Sequence, residues 1–193
     1  MAIRVAPAAI GFLLASAAML AAEAAEVAGV KIEERAKVGA AELVLNGAAV
    51  RKRAFFQVYA MGLYLPEKKA AASEAIGAAG AKRVAIHMLR DVDADTFTEA
   101  LSDGMRANHD EATMKGLEPR IAEFGAIMAE LKEAKKGMQI LLDWQPASGT
   151  IVRVDGTARG KAIAGEDFYR ALLRIWLGER PVQDDLKKAL LGG

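Results

Sequence analysis

The sequence predicts an α+β domain whose sheet is mainly antiparallel, with helices gathered on one side. Three observations carry that expectation. Strand-like and helix-like segments follow one another in mixed order. Two dipeptides, Asn46-Gly47 and Asp155-Gly156, are hairpin signals, and hairpins join antiparallel neighbours. No internal repeat and no low-complexity linker interrupts the chain after residue 40, so residues 25–193 are expected to form a single domain.

The first 24 residues have the order of a secretory signal peptide. Met1-Ala-Ile-Arg4 carries one positive charge, residues 5–22 carry none, and Ala22-Glu23-Ala24 offers small residues at the two positions that a signal peptidase reads. The uncharged run of 18 residues is also just long enough to span a bilayer as an uncleaved anchor. Pro7, Gly11 and the many alanines weaken such an insertion. Residues 1–24 are therefore expected to be a cleaved signal peptide, leaving a periplasmic product with no stable membrane anchor.

Residues 25–40 are polar and contain glycine, as an irregular or edge-strand lead-in would. A short strand is expected at 42–45, then a turn at Asn46-Gly47, then the longest strand at 50–65. Beyond residue 54 both faces of that strand are largely apolar, which implies cover on both sides. Pro66 ends it, because proline lacks the amide that a ladder needs. An alanine-rich helix at 70–79 stops at Gly80. Residues 82–92 return to strand character, with Val84, Ile86 and Met88 on one face and Arg83, Ala85, His87 and Leu89 on the other. Asp93 or Asp95 can cap the next helix, which reaches about Asn108 and stacks Phe97, Leu101 and Met105 at four-residue spacing. A third helix is expected at 119–135, with Ile121, Phe124, Ile127, Met128 and Leu131 buried and the charge run at 130–136 solvated. Strands follow at 138–144, 149–154 and 161–164, the last two joined through Asp155-Gly156. An apolar helix at 166–177 and a short one at 184–191 close the chain.

Composition excludes several kinds of chemistry. Of 193 residues 53% are hydrophobic and none is cysteine, which removes disulfide scaffolds, cysteine-based zinc sites and thiol nucleophiles. Lys plus Arg number 26 against 25 acidic residues, and a net charge of +1 gives no field to draw the chain onto nucleic acid. With two histidines in all, no metal site is expected, and no cofactor. No nucleophile elbow, phosphate loop, zinc-protease motif or dinucleotide fingerprint is present. His87 and His109 lie in different elements, and nothing ties either to Ser102 or Ser148 as a triad. His87 reads most simply as a half-buried strand residue with a hydrogen-bonded neighbour, and His109 as a helix-terminus residue. Phe168, Leu172, Ile175 and Trp176 on successive turns read as core packing.

One set of polar residues stands apart. Arg51, Arg53, Gln57 and Tyr59 share a face of an otherwise apolar strand. On a straight ribbon positions 51 and 59 lie about 26 Å apart, so they meet one ligand only if the strand bends or bulges between them. The plainer alternative is a solvated basic strand end and a core tyrosine whose hydroxyl is satisfied. On the residues alone both readings stand.

Leu45-Asn-Gly-Ala-Ala-Val-Arg51 and Phe55-Phe-Gln-Val-Tyr-Ala-Met-Gly-Leu-Tyr-Leu-Pro66 resemble the opening of the chalcone isomerase-like family. So do Lys82-Arg-Val-Ala-Ile-His-Met-Leu-Arg-Asp91, Gly149-Thr150 before a strand, and Gly165-Glu-Asp-Phe-Tyr-Arg-Ala-Leu-Leu-Arg-Ile-Trp-Leu-Gly178. The likeness runs over about residues 38–192 and is similar to the exported bacterial branch. It implies an open-faced β-sandwich with helices packed on one face of the sheet and a ligand cleft between. In the plant isomerases an arginine after the first hairpin steers a phenolate onto an enone, and a threonine on the next strand helps to position the carbonyl. Arg51 matches the arginine, whereas Tyr59 stands where the threonine would be. The helix-borne tyrosine of the isomerases has no counterpart, with Asn108 and His109 nearest. Arg51 with Tyr59 looks more like the fatty-acid-binding branch, where such a pair holds a carboxylate.

The resemblance thus implies a non-catalytic periplasmic binding protein for a small apolar or amphipathic, fatty-acid-like carboxylate, with Arg51 and Tyr59 at its polar end. Two alternatives remain from other classes. One is a weak isomerase, an intramolecular lyase acting on an unsaturated carbonyl compound. The other is an interaction protein whose cleft is filled by its own side chains.

Overall fold

The computed structural model describes residues 25–193; the expected signal peptide, residues 1–24, lies outside them. Two short strands, β1 (Ala25–Val27) and β2 (Val30–Ile32), pair as a ribbon. A second hairpin joins β3 (Arg35–Val38) to β4 (Ala41–Arg53), and β5 (Phe56–Leu65) returns along β4. Next come α1 (Ala72–Gly77), β6 (Lys82–Met88), the two-residue β7 (Val92–Asp93), α2 (Ala94–Arg106) and α3 (Glu111–Ala129). The chain finishes with β8 (Glu133–Ala134), β9 (Gln139–Gln145), β10 (Gly149–Val154), β11 (Thr157–Ile163), α4 (Glu166–Leu177) and α5 (Asp184–Leu190). Seven strands form one sheet in the order β11-β10-β9-β6-β5-β4-β3, every pair antiparallel. The fold is α+β, a curled antiparallel sheet with its helices on one face, as expected. No helix among the described residues is long and apolar enough to cross a membrane.

Side-chain alternation explains the layers. On β5, Tyr59, Met61, Leu63 and Leu65 enter the main core with Val84, Ile86 and Met88 of β6 and the buried faces of the helices. The intervening Ala60 and Tyr64 join a smaller core with Ile32, Val38, Leu43 and Leu45 on the opposite face. Tyr64 fastens the β1–β2 ribbon there by donating to the Glu33 carbonyl at 2.8 Å. Cover on both faces accounts for the apolar run beyond residue 54. In α4, Phe168, Leu172, Ile175 and Trp176 are all buried, as their spacing implied.

Three expected elements require correction. Asn46-Gly47 is not a turn: it lies inside the thirteen-residue β4, where the register slips between Leu45 and Gly47 and Asn46 is the extra residue of a bulge. Its side chain is a clamp, donating to Leu190 O at 2.7 Å and Lys69 O at 2.9 Å and accepting from Lys69 N at 2.6 Å. Gly47 is needed because α5 crosses here; a Cβ would sit 2.1 Å from Ala189 O. The expected single strand at 50–65 is instead two strands joined at Ala54-Phe55. Third, α3 starts at Glu111, because Asp110 accepts from Thr113 N at 2.7 Å and caps it, and it runs through Pro119. Pro119 and Lys115, four residues before it, are both exposed, so the carbonyl left without an amide partner faces water. The helix ends at Ala129. Lys132 takes φ +59° and Glu133–Ala134 pairs with Val92–Asp93, so the charge run at 130–136 is not a helix face.

Candidate functional site

The turn at Ala54-Phe55 decides the site. Arg53 opposes Phe56, which leaves a two-residue loop whose first residue, Ala54, has φ +52°. This reverses the chain and makes Arg51 the direct cross-strand partner of Tyr59. Directly opposed residues share a face with Cβ atoms about 4.5–5.5 Å apart, so the gap expected along a straight strand vanishes. The register also slips between Arg51 and Lys52, which makes Val58 an extra residue on β5. Bulges re-aim side chains, and Val58 and Tyr59 both line the resulting cleft.

That cleft has a volume of about 540 Å³ between the end of the β4–β5 hairpin, residues 90–93, α2, Ile175 of α4 and Val182. Its apolar wall includes Phe56, Val58, Phe97, Leu101, Ile175 and Val182. α2 and α4 close against each other behind it at Gly104, where a Cβ would lie 2.7 Å from Ile175 Cγ2. The cationic and phenolic groups are graded by depth: Arg53 and Arg90 are exposed, Arg51 is half-buried and Tyr59 is 7% exposed.

At the inner end the Tyr59 hydroxyl accepts from Trp176 Nε1 at 2.9 Å. Burial pushes the Tyr59 phenol up, against the Trp176 hydrogen bond and the nearby Arg51 guanidinium, which pull it down. The phenol is therefore neutral near pH 7 and keeps its proton to donate. Arg51 Nη1 donates to the Lys52 carbonyl and lies 3.5 Å from Gln183 Oε1. Gln183 in turn accepts from Lys52 N at 2.8 Å and donates to Val50 O at 3.3 Å, pinning the start of α5 beside Arg51. Two carboxylates line the cleft but are engaged with backbone amides. Asp91 accepts from Lys136 N at 2.7 Å, and Asp93 accepts from Asp95 N and Thr96 N at 3.0 Å, which caps α2. A guanidinium, a neutral phenol and an apolar hollow together suit an anionic head with a hydrocarbon tail.

The other polar residues noted in the sequence lie elsewhere. His87 Nε2 is 3.3 Å from Gln139 Nε2, and burial pushes its pKa down, so it is neutral at pH 7. His109 Nδ1 bonds to Met105 O at 2.8 Å. Asn108 bridges Gly104 O and the Arg180 backbone, a clamp between α2 and the α4–α5 connection. Asn108 and His109 line a separate polar hollow, so neither replaces the isomerase tyrosine in the cleft. Three contributors escaped sequence reasoning: Arg90, Gln183 and the indole of Trp176. All act across more than 30 residues of chain, and no local pattern marks them.

A family model described as chalcone isomerase-like matches residues 24–192. The chain belongs to the chalcone isomerase-like family. Among solved structures it is similar in fold to the crystal structure of a fatty-acid binding protein of Arabidopsis thaliana. The TM-score is 0.64 and the identity 16%, over 84% of this chain and 92% of that one. Comparison with curated proteins gives no match. The Arabidopsis protein shares the curled sheet and the helical layer, and at this identity the likeness speaks for the fold alone.

Proposed function

We propose that this member of the chalcone isomerase-like family is a non-catalytic carrier for a small amphipathic carboxylate of fatty-acid type. In this reading Arg51 and Tyr59 hold the carboxylate and the apolar cleft takes the tail. The observation that carries the reading is the register of the β4–β5 hairpin, which sets Arg51 opposite Tyr59 at a cleft of about 540 Å³ with an apolar wall. Cavities of roughly 300–1,000 Å³ accept small ligands, and a bidentate guanidinium with one added donor fixes a carboxylate. The printed description of the Arabidopsis structural relative, a fatty-acid binding protein, supports the same direction. We place the carrier in the exported bacterial branch, acting in the periplasm after removal of residues 1–24.

Titration of residues 25–193 with a fluorescent long-chain fatty acid tests the assignment. Removing a charged hydrogen-bond donor forfeits about 1.5–3 kcal/mol, so Arg51→Ala is expected to weaken binding at least tenfold. Tyr59→Phe removes a neutral donor and should weaken it a few-fold. The methyl ester of the same acid should bind weakly and ignore the Arg51 substitution. Equal affinity of both variants and the unaltered protein for the free acid would overturn the assignment. Mass analysis of the protein from a periplasmic extract tests the location; a chain retaining residues 1–24 in the cytosolic fraction would refute it.

A further inference from the structure

The tip of the β4–β5 hairpin does more than close a turn. Phe55 is 100% exposed and Phe56 59% exposed, and they are the large apolar side chains open to water among the described residues. A two-residue turn calls for glycine, asparagine or aspartate, not aromatics. Phe55 does not line the cleft, and it contributes nothing to either core. Around it the chain reads Arg51-Lys-Arg-Ala-Phe-Phe-Gln57, with three cations and no acidic residue. Arg90 adds a fourth, its Cζ 4.6 Å from the centre of the Phe56 ring.

We propose that this tip is a membrane-docking device, with an anionic bilayer surface as its partner. Phe55 enters the boundary between headgroups and acyl chains, while Lys52, Arg53 and Arg90 meet lipid phosphates. An aromatic body in the interface and cations at headgroup level are the division of labour that interfacial anchors use. A lipid surface fits better than a protein partner because the apolar feature is a two-residue prong flanked by four cations, while the two carboxylates at the cleft, Asp91 and Asp93, are engaged by backbone amides. A stable protein interface would need an apolar core several times that area. The same residues that rim the prong, Arg51, Arg53, Phe56 and Arg90, line the cleft, so docking would set its opening against the bilayer. The loading of a ligand from the membrane rests on the carrier reading; docking itself rests on the tip.

Co-sedimentation with vesicles of phosphatidylcholine, with and without phosphatidylglycerol, tests the proposal. The protein is expected to partition onto the anionic vesicles, more weakly as salt rises. Phe55→Ser should weaken partitioning roughly tenfold, from the loss of buried aromatic area. Lys52→Glu reverses one charge and should weaken it by tenfold or more. Phe55 is exposed and does not line the cleft, so in Phe55→Ser thermal unfolding and binding of a monomeric fatty acid without vesicles should be unchanged. No partitioning onto anionic vesicles, or partitioning indifferent to Phe55→Ser, overturns the proposal. Phe55-dependent docking by a protein that binds no free fatty acid would uphold the docking and defeat the carrier reading instead.

Discussion

Replacing Gly47 with alanine probes the joint between the sheet and α5. A Cβ there would stand 2.1 Å from Ala189 O and 2.8 Å from both the carbonyl carbon and the Cα of Leu190. Relaxed contacts between carbon atoms need about 3.5–4.0 Å, so α5 must recede by roughly 1 Å or more. Every clashing atom is backbone, and no rotamer relieves the strain. Gly47 does not use the left-handed region, so alanine meets no conformational barrier and even gains about 0.4–1 kcal/mol from a stiffer unfolded chain. Overpacking of this kind costs about 1–3 kcal/mol. Complete release of α5 is dearer, because it exposes Leu186 and Leu190 at about 1.5–3 kcal/mol each and breaks the Asn46 bond to Leu190 O. A strained but attached helix is therefore expected, with a net loss of about 1–2 kcal/mol. Urea denaturation should show the midpoint falling by about 1 M, and amide exchange should quicken over residues 186–191. Gln183 leads into α5 and lies beside Arg51, so under the proposed carrier function fatty-acid affinity should fall as well. An unchanged midpoint with undiminished protection of α5 would refute the reasoning.

Three further outcomes follow from the same structure. Ala54 sits at φ +52°, a region that alanine enters at a cost of about 1–2 kcal/mol, so Ala54→Gly should raise the melting temperature by a degree or more; a lower value would contradict the turn. Asp143 is 1% exposed and takes Arg83 Nε at 2.6 Å, Arg83 Nη2 at 2.7 Å and Arg153 Nε at 3.3 Å. Asp143→Ala strands the mostly buried Arg83, whereas Arg153 keeps access to water, and should cost about 3 kcal/mol in a urea titration, a loss below 1 kcal/mol being incompatible with a buried pair. In acid, two carboxyls at the start of α4 matter. Arg120 holds Asp167 below its usual pKa, and Lys82 with Arg170 holds Glu166 below its own against the upward push of burial. Groups with depressed folded pKa values stabilise fully above the ordinary carboxylate range and lose that contribution as pH falls through their folded values. The urea midpoint should therefore drop from pH 6 to pH 3, and less steeply in Glu166→Gln/Asp167→Asn; identical slopes would remove these carboxyls from the account.

Where local chemistry dictates structure, the sequence was readable. Asp155-Gly156 is a hairpin turn because both residues adopt positive φ, 48° and 80°, which that dipeptide tolerates. Asp93 caps α2 because it precedes the first turn with a carboxylate, and the α4 stripe is buried because its spacing aligns one face. Long-range demands hid the rest. Asn46-Gly47 carries the same turn chemistry, yet its amide serves a bulge clamp and its missing Cβ admits α5. Ala54-Phe55 turns without any of the residues that announce a turn, so the alternation across it reads as one strand. Arg51 and Tyr59 were visible as residues, but their pairing depends on that unannounced turn. Gln183 and Trp176 complete their surroundings from more than 100 residues away.

The side chain of Gln183 has one more effect, on the border of the sheet. β3 pairs with β4 as far as Val44, Leu45 N adds a bond to Glu34 O at 2.8 Å, and beyond the crossing of α5 at Gly47 no strand pairs with the outer rim of β4 among the described residues. At Val50 and Lys52 the carboxamide fills that rim, giving a proton to one main-chain group and taking one from the other, as a neighbouring strand would. Unsatisfied strand borders are where stray chains add on and assemblies grow. A single amide thus acts as a counterfeit rung that denies a newcomer its first foothold, alongside Arg51.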